Sequence, residues 1–195
     1  PTRFPTRRGR ASRVRLLVAP DNAEGELLSL VRSANRSLRV EQVSIDRNQP
    51  LLSACVAAAE RGVRVRVLLS GAWYVREENR ALADRLNARA EREGLPLEAR
   101  LVEPRSRFEH VHVKGLIVDG DRAVVGSLNW NNVSARENRE VVLVVSGTVV
   151  DTYRRAFAAD WHGGAWRVSV GALLALLPAV GGTGLVLSRR ISFAE

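Results

Sequence analysis

The sequence predicts an α/β fold in which helices pack on a mixed β-sheet. Along the chain, apolar residues recur with a period of two, as in a strand, and then with a period near 3.6, as in a helix. This alternation gives the order β-α-β-α-β-α-β, followed by a cluster of strands and a closing helix. The chain has 195 residues, of which 46% are hydrophobic, which is enough for one domain with its own core and an appended segment.

The helices of the first half are bounded by residues typical of helix ends. Pro20-Asp21-Asn22 predicts a turn followed by a helix cap, and Pro50 predicts the first residue of the next helix. Gly62 and Gly94 predict two C-terminal ends, because glycine readily takes the left-handed conformation that follows a helix. Strands of this half are expected at 14–18, 38–45, 63–69 and 97–102, and helices at 24–34, 50–61 and 77–93.

The second half predicts a cluster of strands, because its apolar segments follow one another without long helical segments between them. The turn Asp119-Gly120-Asp121 separates the first two segments. A last helix is expected to be capped by Ser146 or Thr148 and to end at about Trp161. Strands of this half are expected at 110–118, 123–127 and 140–145.

The charge of the chain favours an anionic partner. Its formal net charge is +9 and its pI is about 11.2, which points to nucleic acid, phospholipid headgroups or other phosphate esters. Residues 1–12 carry four arginines and two prolines without apolar periodicity, which predicts a basic arm or an interdomain linker. Cys55 is the single cysteine, so an intrachain disulfide is excluded, and its small apolar neighbours predict a place in the core.

Residues 168–188 differ from the rest of the chain, since they carry no charge over 21 positions. This length is enough for a helix that spans a bilayer, and Trp161 and Trp166 precede it where an interfacial aromatic belt would lie. Pro178 and a cluster of glycines weaken the helix prediction, and a buried helix docked on the domain is the alternative. We therefore expect a membrane-associated protein.

Three regions are expected: an arm or linker at 1–12, a folded domain at 13–162, and a tail at 163–195 that contains the candidate transmembrane helix. Arg189-Arg190 follows the apolar segment and favours a cytoplasmic C-terminus, which would place the folded domain outside the cell. Two charges are weak evidence for membrane orientation, so a cytoplasmic location of the folded domain is the alternative.

One segment brings together side chains suited to holding a phosphate. His112 and Lys114 are two residues apart on an expected strand, so they project from the same face. If the next strand pairs with it in the antiparallel sense, Ser127 and Asn129 come beside them, and Gly126 lets the backbone approach closely. Lys114 is the single lysine among 30 Lys and Arg residues, which indicates a site for a compact ammonium and not for a guanidinium fork.

The spacing His-x-Lys-x4-Asp-x6-Gly-Ser-x-Asn at 112–129 resembles the HKD signature of the phospholipase D superfamily. Asn138-Arg139-Glu140 also resembles the Asn-x-Glu of that family, and Pro20-Asp21-Asn22 and Arg61-Gly62-Val63 look like its landmarks. The resemblance covers about residues 13–161. It implies a phospholipase D-like α-β-α sandwich with a mixed sheet, here followed by a C-terminal apolar helix.

The resemblance implies phosphodiester hydrolysis through a phosphohistidine, with neither metal nor cofactor. His112 would attack phosphorus, and Lys114 and Asn129 would hold the nonbridging oxygens with help from Ser127. Glu140 would accept from the other nitrogen of an active-site histidine. Asp119 belongs to the implied catalytic set, and we expect it to organise the strand end or to pair with a basic group. The implied catalytic residues are His112, Lys114, Asp119 and Glu140, and the implied phosphate-binding residues are Lys114, Ser127 and Asn129.

The chain departs from the family pattern in one respect. The superfamily site uses two facing motifs, and a second His-x-Lys is excluded because there is no second lysine. The partner motif must come from the mate in a two-fold homodimer or from a missing N-terminal half. A sequence that starts at Pro1 and has no methionine favours the second alternative slightly.

Residues around the motif have weaker signals. His110 shares a face with His112, but two histidines without a third ligand are weak support for a metal, so we expect His110 to line the groove. Trp130 is expected either in the cleft or in the core. Arg105 and Arg107 are either contacts to an anionic substrate or loop charges.

The sequence favours a phospholipase D-type enzyme that acts on phospholipids at a membrane, because of its apolar segment. An endonuclease of the same superfamily is the alternative, because of the charge of +9. A non-catalytic half that supports a partner domain is a third alternative, against which the intact motif argues. Transfer of a phosphatidyl group to an alcohol is also chemically within reach.

Overall fold

A computed structural model describes residues 6–102 and 110–163 of the chain. Helices and strands alternate in the first part and give way to consecutive strands in the second, so the predicted α/β class is confirmed. In chain order the elements are β1 (Ala11–Ala19), α1 (Ala23–Arg32), β2 (Ser37–Gln42), α2 (Pro50–Glu60), β3 (Arg64–Ser70), α3 (Arg76–Glu93), β4 (Leu97–Val102), β5 (Gly115–Val118), β6 (Arg122–Gly126), α4 (Asn132–Arg136), β7 (Glu140–Gly147) and α5 (Val150–Trp161).

The strands form one mixed sheet with the order β1-β7-β6-β5-β2-β3-β4. β2, β3 and β4 are parallel and are joined by the crossover helices α2 and α3. β5 lies antiparallel to β2, and the pairs β5–β6, β6–β7 and β7–β1 are also antiparallel. The expected pairing of the two motif strands is therefore present as the β5–β6 hairpin.

Helices cover both faces of the sheet. On one face, α1, α2 and α3 bury a core that includes Val65 of β3 and Val118 of β5. On the other face, Phe157 and Trp161 of α5 pack in a second core with Ile117. Full burial of each such side chain contributes about 1.5–3 kcal/mol, so both layers contribute to holding the sheet between them.

The helix ends of the first half follow their sequence signals in part. Pro50 is the first residue of α2, and α3 ends at Gly94, whose φ of 64° is left-handed. Cys55 is fully buried in α2, as expected, and burial raises the pKa of its thiol to about 12. The expected cap at Asn22 is wrong in detail, because its Oδ1 accepts a hydrogen bond from the Val18 N–H and not from the helix.

Two predictions for the second half are also wrong. The strand expected at 110–118 is confined to Gly115–Val118, since ladder pairing with β2 and β6 begins only at Gly115. Neither Ser146 nor Thr148 caps α5: Ser146 belongs to β7, and Thr148 Oγ1 accepts instead from the Arg10 N–H at 3.0 Å.

The basic arm is shorter than predicted. Ala11 and Ser12 already belong to β1, and Ala11 pairs with Gly147 of β7. The strand begins early because the whole of β7 is available to it as an antiparallel partner.

The predicted transmembrane helix at 168–188 lies outside the described residues. Within the described ranges, no helix is both long and apolar enough to cross a bilayer. Trp161 does not belong to an interfacial belt: its side chain is buried, stacked on Phe157 and covered by the guanidinium groups of Arg66 and Arg100.

Candidate active site

The motif residues meet at one end of the sheet. β2, β3 and β6 end there and β5 and β7 begin there, because β5 and β7 run opposite to the others. His112 and Lys114 precede β5, Ser127 follows β6, and Glu140 is the first residue of β7. The antiparallel arrangement therefore brings groups from three separate parts of the chain to one sheet edge.

His112 and Lys114 are in direct contact. The ammonium Nζ of Lys114 lies 2.7 Å from Nδ1 and 3.0 Å from Nε2 of His112, and it also donates to the His112 carbonyl at 3.1 Å. The imidazole is exposed and the ammonium is half-buried. The expected pairing of the two side chains is therefore present, although both precede the strand.

Both residues lie at the edge of a cavity of about 350 Å³ on the α5 side of the sheet. Its walls are mainly apolar and come from β5, β6 and α5, with Phe157 among them. Glu41 of β2 also lines this cavity; it is 5% exposed and its Oε1 has no hydrogen-bond partner. Burial and then the charge of Asp160 raise the pKa of Glu41 to about 8, so this carboxyl group is largely protonated at neutral pH.

Glu140 is held by serine hydroxyls. Ser134 Oγ donates to Glu140 Oε1 at 2.8 Å, and the Ser127 hydroxyl also hydrogen-bonds this carboxylate. Ser127 Oγ in turn accepts from the Val141 N–H at 3.2 Å, and Asn138 Nδ2 lies 3.4 Å from Glu140 Oε1. The Ser127 side chain is thus oriented by β7 on both its donor and its acceptor side.

The charges of the site act on one another. Burial lowers the pKa of His112, and the nearby charges of Lys114 and His110 lower it further, so the imidazole is neutral at pH 7. Burial also lowers the pKa of Lys114, and the attraction of Glu140 opposes this only in part. Burial raises the pKa of Glu140, but its hydrogen bonds and the charge of Lys114 outweigh this, so the group remains a carboxylate.

Asp119 lies at the other end of β5, away from His112 and Lys114. Its carboxylate accepts from the backbone N–H groups of Asn35, Arg36 and Ser37 and pairs with Arg122 at 3.3 Å. These contacts hold its pKa below the ordinary value against the opposing effect of burial, which is the largest single influence. The expected organising role at the strand end agrees with this position, whereas direct contact with substrate at His112 does not.

The other motif residues occupy the site less directly. Asn129 is half-buried, and its backbone N–H donates to Ser134 Oγ at 2.9 Å. Trp130 is buried in the core, which resolves the two alternatives in favour of packing. His110 contacts the ring of Tyr74, with centroids 5.7 Å apart, and Arg105 and Arg107 lie outside the described residues.

Sequence reasoning missed two residues of the site. Ser134 is buried in α4 and connects the Asn129 backbone to Glu140, and its only sequence signal was the short polar segment after the motif. Glu41 was missed because it lies in β2, a short strand of mixed polarity in which nothing in the sequence marked this carboxyl group as buried. No group of three His, Cys, Asp or Glu side chains suited to a metal occurs within 6–102 and 110–163.

Gly126 has a steric reason to be glycine. A Cβ on this residue would contact the backbone of Val141 and would lie 2.8 Å from the Cα of Val142 on the neighbouring strand. We expect Gly126→Ala to reduce the free energy of unfolding by about 1–3 kcal/mol, because β6 and β7 would have to separate. Denaturant unfolding followed by circular dichroism measures this change.

Gly25→Ala is the matched control for that substitution. Gly25 lies in α1, and a Cβ there meets nothing within 4 Å. Alanine at this position should leave stability unchanged or raise it by about 0.5–1 kcal/mol. Equal losses in the two variants would contradict the steric explanation.

The sequence matches known proteins over most of the described domain. Residues 27–161 match the family described as cardiolipin synthase, PLD-like domain. The mitochondrial cardiolipin hydrolase of Xenopus tropicalis is 31% identical over 145 residues, which cover 73% of this chain and 62% of that protein. The chain thus spans less than two thirds of the length of this relative.

Solved structures share the fold. A phospholipase D family member, Nuc from Salmonella typhimurium, matches with a TM-score of 0.62 and 24% identity, over 77% of this chain and 95% of its own. NucT from Helicobacter pylori matches with a TM-score of 0.64 and 18% identity, over 77% of this chain and 96% of its own. At these identities the two structures bear on the fold alone.

Proposed function

The chain belongs to the phospholipase D superfamily, and we propose that it hydrolyses phosphodiester bonds without a metal, through a phosphohistidine at His112. One observation carries the proposal: the ammonium of Lys114 touches a neutral imidazole at the edge of a cavity large enough for a substrate group. A neutral imidazole has the nitrogen lone pair that a nucleophile needs, and the adjacent cation attracts the phosphate that the imidazole attacks.

In the first step, a ring nitrogen of His112 forms a bond to phosphorus and the bond from phosphorus to the leaving alcohol breaks. The alcohol oxygen takes a proton from a second active-site histidine. Lys114 donates to the nonbridging oxygens as their charge grows, with Asn129 as a further donor. Ser127 would join them only by giving up its hydrogen bond to Glu140. Glu140 keeps Ser127 in place, and its charge favours the protonated form of Lys114.

In the second step, the second histidine takes a proton from water, and the water oxygen attacks phosphorus. The bond between His112 and phosphorus breaks, which restores the imidazole and releases a phosphate monoester. An alcohol in place of water would give phosphatidyl transfer by the same bond changes.

The second histidine must come from outside the motif of this chain. We propose that a second copy in a two-fold dimer supplies it, or that a missing N-terminal half does. Glu140 of one half would then accept from a histidine nitrogen of the other. Activity that rises with protein concentration, together with a dimer in sedimentation experiments, would support the first source. Inactivity at concentrations that favour a dimer would support the second.

A phospholipid is the substrate class that we favour, with the protein at a membrane surface. Large apolar side chains are exposed at the catalytic end of the sheet: Trp73 is 81% exposed, and Tyr74 and Val113 lie beside His110 and His112. Such residues insert at a lipid interface. The relative named a cardiolipin hydrolase points the same way.

An endonuclease is the second candidate, and the net charge of +9 favours it. One set of substrate assays distinguishes a phospholipase from an endonuclease. The purified protein is incubated with a chelator and with phosphatidylcholine or cardiolipin vesicles, single- or double-stranded DNA, or bis-p-nitrophenyl phosphate. Turnover of lipid and of the nitrophenyl ester with chelator present is the expected result. Cleavage of DNA without lipid turnover would reverse the assignment of substrate.

The rate of p-nitrophenolate release in a single turnover should depend on pH through His112. This leaving group needs no proton, so the rate follows the neutral imidazole and rises with pH. The midpoint of the rise should lie below the ordinary value of 6.5, because burial and Lys114 lower the pKa of His112. A fall at high pH should begin below 10.5, as Lys114 loses its proton.

Lys114→Gln is the control for this profile. Removing the ammonium removes one cause of the low pKa, so the midpoint of the rise should move to higher pH. An unshifted midpoint in Lys114→Gln, or a midpoint above 6.5 in the native chain, would contradict the stated influence of Lys114 on His112.

A further inference from the structure

A second group of positive charges lies on the α5 side of the sheet. Arg39 of β2 and Arg66 of β3 are register partners, so their Cα atoms lie about 4.8 Å apart across the two strands. Arg64 is two residues before Arg66 and faces the same way, about 7 Å along the strand. Arg154 of α5 reaches the same place, since its Nε and the Nη1 of Arg39 both lie 3.7 Å from the Cβ position of Gly120. These four residues are here termed the arginine cluster.

The guanidinium N–H groups of the cluster are hydrogen-bond donors, and not all of them have an acceptor. Nη1 of Arg39 is buried and makes no hydrogen bond. Burial lowers the pKa of Arg39, and repulsion from Arg154, Arg66 and Arg64 lowers it further. Unpaired like charges at this distance cost free energy unless an anion joins them.

The nearby carboxylates are already used. Asp151 pairs with Arg154 at 2.8 Å, and the oxygens of Asp119 are taken by backbone N–H groups and Arg122. Within the described ranges, Arg39, Arg64 and Arg66 have no carboxylate at ion-pair distance. An anion from solution would therefore meet the guanidinium groups of Arg39 and Arg64 without a competing carboxylate, whereas Arg154 also pairs with Asp151 and Arg66 also lies over the ring of Trp161.

The cluster lines two adjoining hollows. One has a volume of about 470 Å³, and its lining includes Arg39, Arg66, Arg154 and Phe157 together with Asp151, the ion-pair partner of Arg154. The other has a volume of about 290 Å³ and shares Arg39 and Arg66 with the first. Sites for small ligands are typically about 300–1,000 Å³, so this space fits a headgroup or a free phosphate.

We propose that the arginine cluster is a second phosphate-binding site, separate from His112 and Lys114, for a phosphate group of a lipid headgroup or for free phosphate. Guanidinium groups suit phosphate because their N–H groups pair with two oxygens at once. A nucleic-acid strand fits less well. Its recognition uses a longer groove with exposed rings for base stacking, and the rings here, Phe157 and Trp161, are buried.

The proposal goes beyond hydrolysis, and binding can be measured without turnover. Arg39 and Phe157 also line the catalytic cavity, so an anion in the cluster would lie beside the substrate. To exclude binding at the catalytic pair, all titrations use a chain that carries Lys114→Ala. A failure of the proposed hydrolysis would then leave this test intact.

The test is isothermal titration calorimetry with inorganic phosphate and with dihexanoyl phosphatidic acid below its micellar concentration, in sodium acetate of constant ionic strength. Charge-assisted hydrogen bonds contribute enough that Arg39→Gln with Arg66→Gln should weaken binding about tenfold or more. Arg13→Gln with Arg32→Gln removes the same charge at exposed positions outside the cluster and should change binding less than about twofold.

Tighter binding of the phosphatidic acid than of phosphate would support a headgroup as the source, and equal binding would support free phosphate. If the Arg39 and Arg66 variant does not fold, Arg64→Gln with Arg154→Gln repeats the test at exposed positions. Equal affinities in cluster and control variants would overturn the site. Tighter, cluster-dependent binding of a short single-stranded DNA would overturn the choice of a small phosphate ligand.

Discussion

His112→Ala is expected to lower kcat by at least about 10⁴-fold, since removal of a covalent nucleophile leaves only binding and electrostatic effects. The measurement is turnover of bis-p-nitrophenyl phosphate in the presence of a chelator. A second readout is the labelled phosphohistidine trapped by rapid acid-free quenching, which should disappear together with turnover. Retention of the trapped intermediate in His112→Ala would place the nucleophile elsewhere.

The loss should be chemical and not structural. His112 is exposed, so its replacement should change the free energy of unfolding by less than about 0.5 kcal/mol. His162 supplies the control, because it is also exposed and follows the end of α5. His162→Ala should keep its rate within about twofold of the native chain, as surface changes outside a site usually do.

Lys114→Arg is expected to lower kcat by about 10²–10³-fold even though it keeps the positive charge, the range seen when one preorganised donor to a reacting anion is lost. The Nζ of Lys114 is within 3.1 Å of both ring nitrogens and the carbonyl of His112. A planar guanidinium is wider and cannot take this position without displacing the imidazole or the phosphate.

Lys114→Gln separates charge from shape. If charge alone mattered, arginine would restore most of the rate lost with glutamine. We expect the two variants to have kcat values within about tenfold of each other, because neither places a compact cation against the phosphate. A near-normal rate in Lys114→Arg would contradict the role proposed for the ammonium.

Much of the fold could be predicted from local signals. Period-two segments gave the strands β1 to β4, and Pro50 and Gly94 marked helix ends at their observed places. These signals are local because each depends on a side chain and its own backbone. The β5 boundary was less accessible: residues 110–114 have strand-like alternation but no ladder partner, and pairing is a property of the whole sheet.

The candidate site also combines features that local signals predict with features that depend on the tertiary fold. The spacing of His112, Lys114 and Ser127 predicted a shared sheet edge, since a tight hairpin leaves little freedom between its arms. The contact of Ser134 with Glu140 could not be predicted, because it depends on the short helix α4. The arginine cluster could not be predicted either. Arg39 and Arg154 are far apart in sequence, and nothing distinguishes them among the 30 Lys and Arg residues of the chain.

The pairing of β1 with β7 has a consequence for how the chain acquires its structure. Ala11 lies opposite Gly147, so among the residues that the structure describes, the first strand pairs only with β7, which is made after nearly the whole domain. Contacts of such long sequence separation slow folding, because loop closure comes before the contacts that reward it. During synthesis on the ribosome, β1 has no strand partner on either edge until β7 emerges, so we expect the nascent chain to bind chaperones.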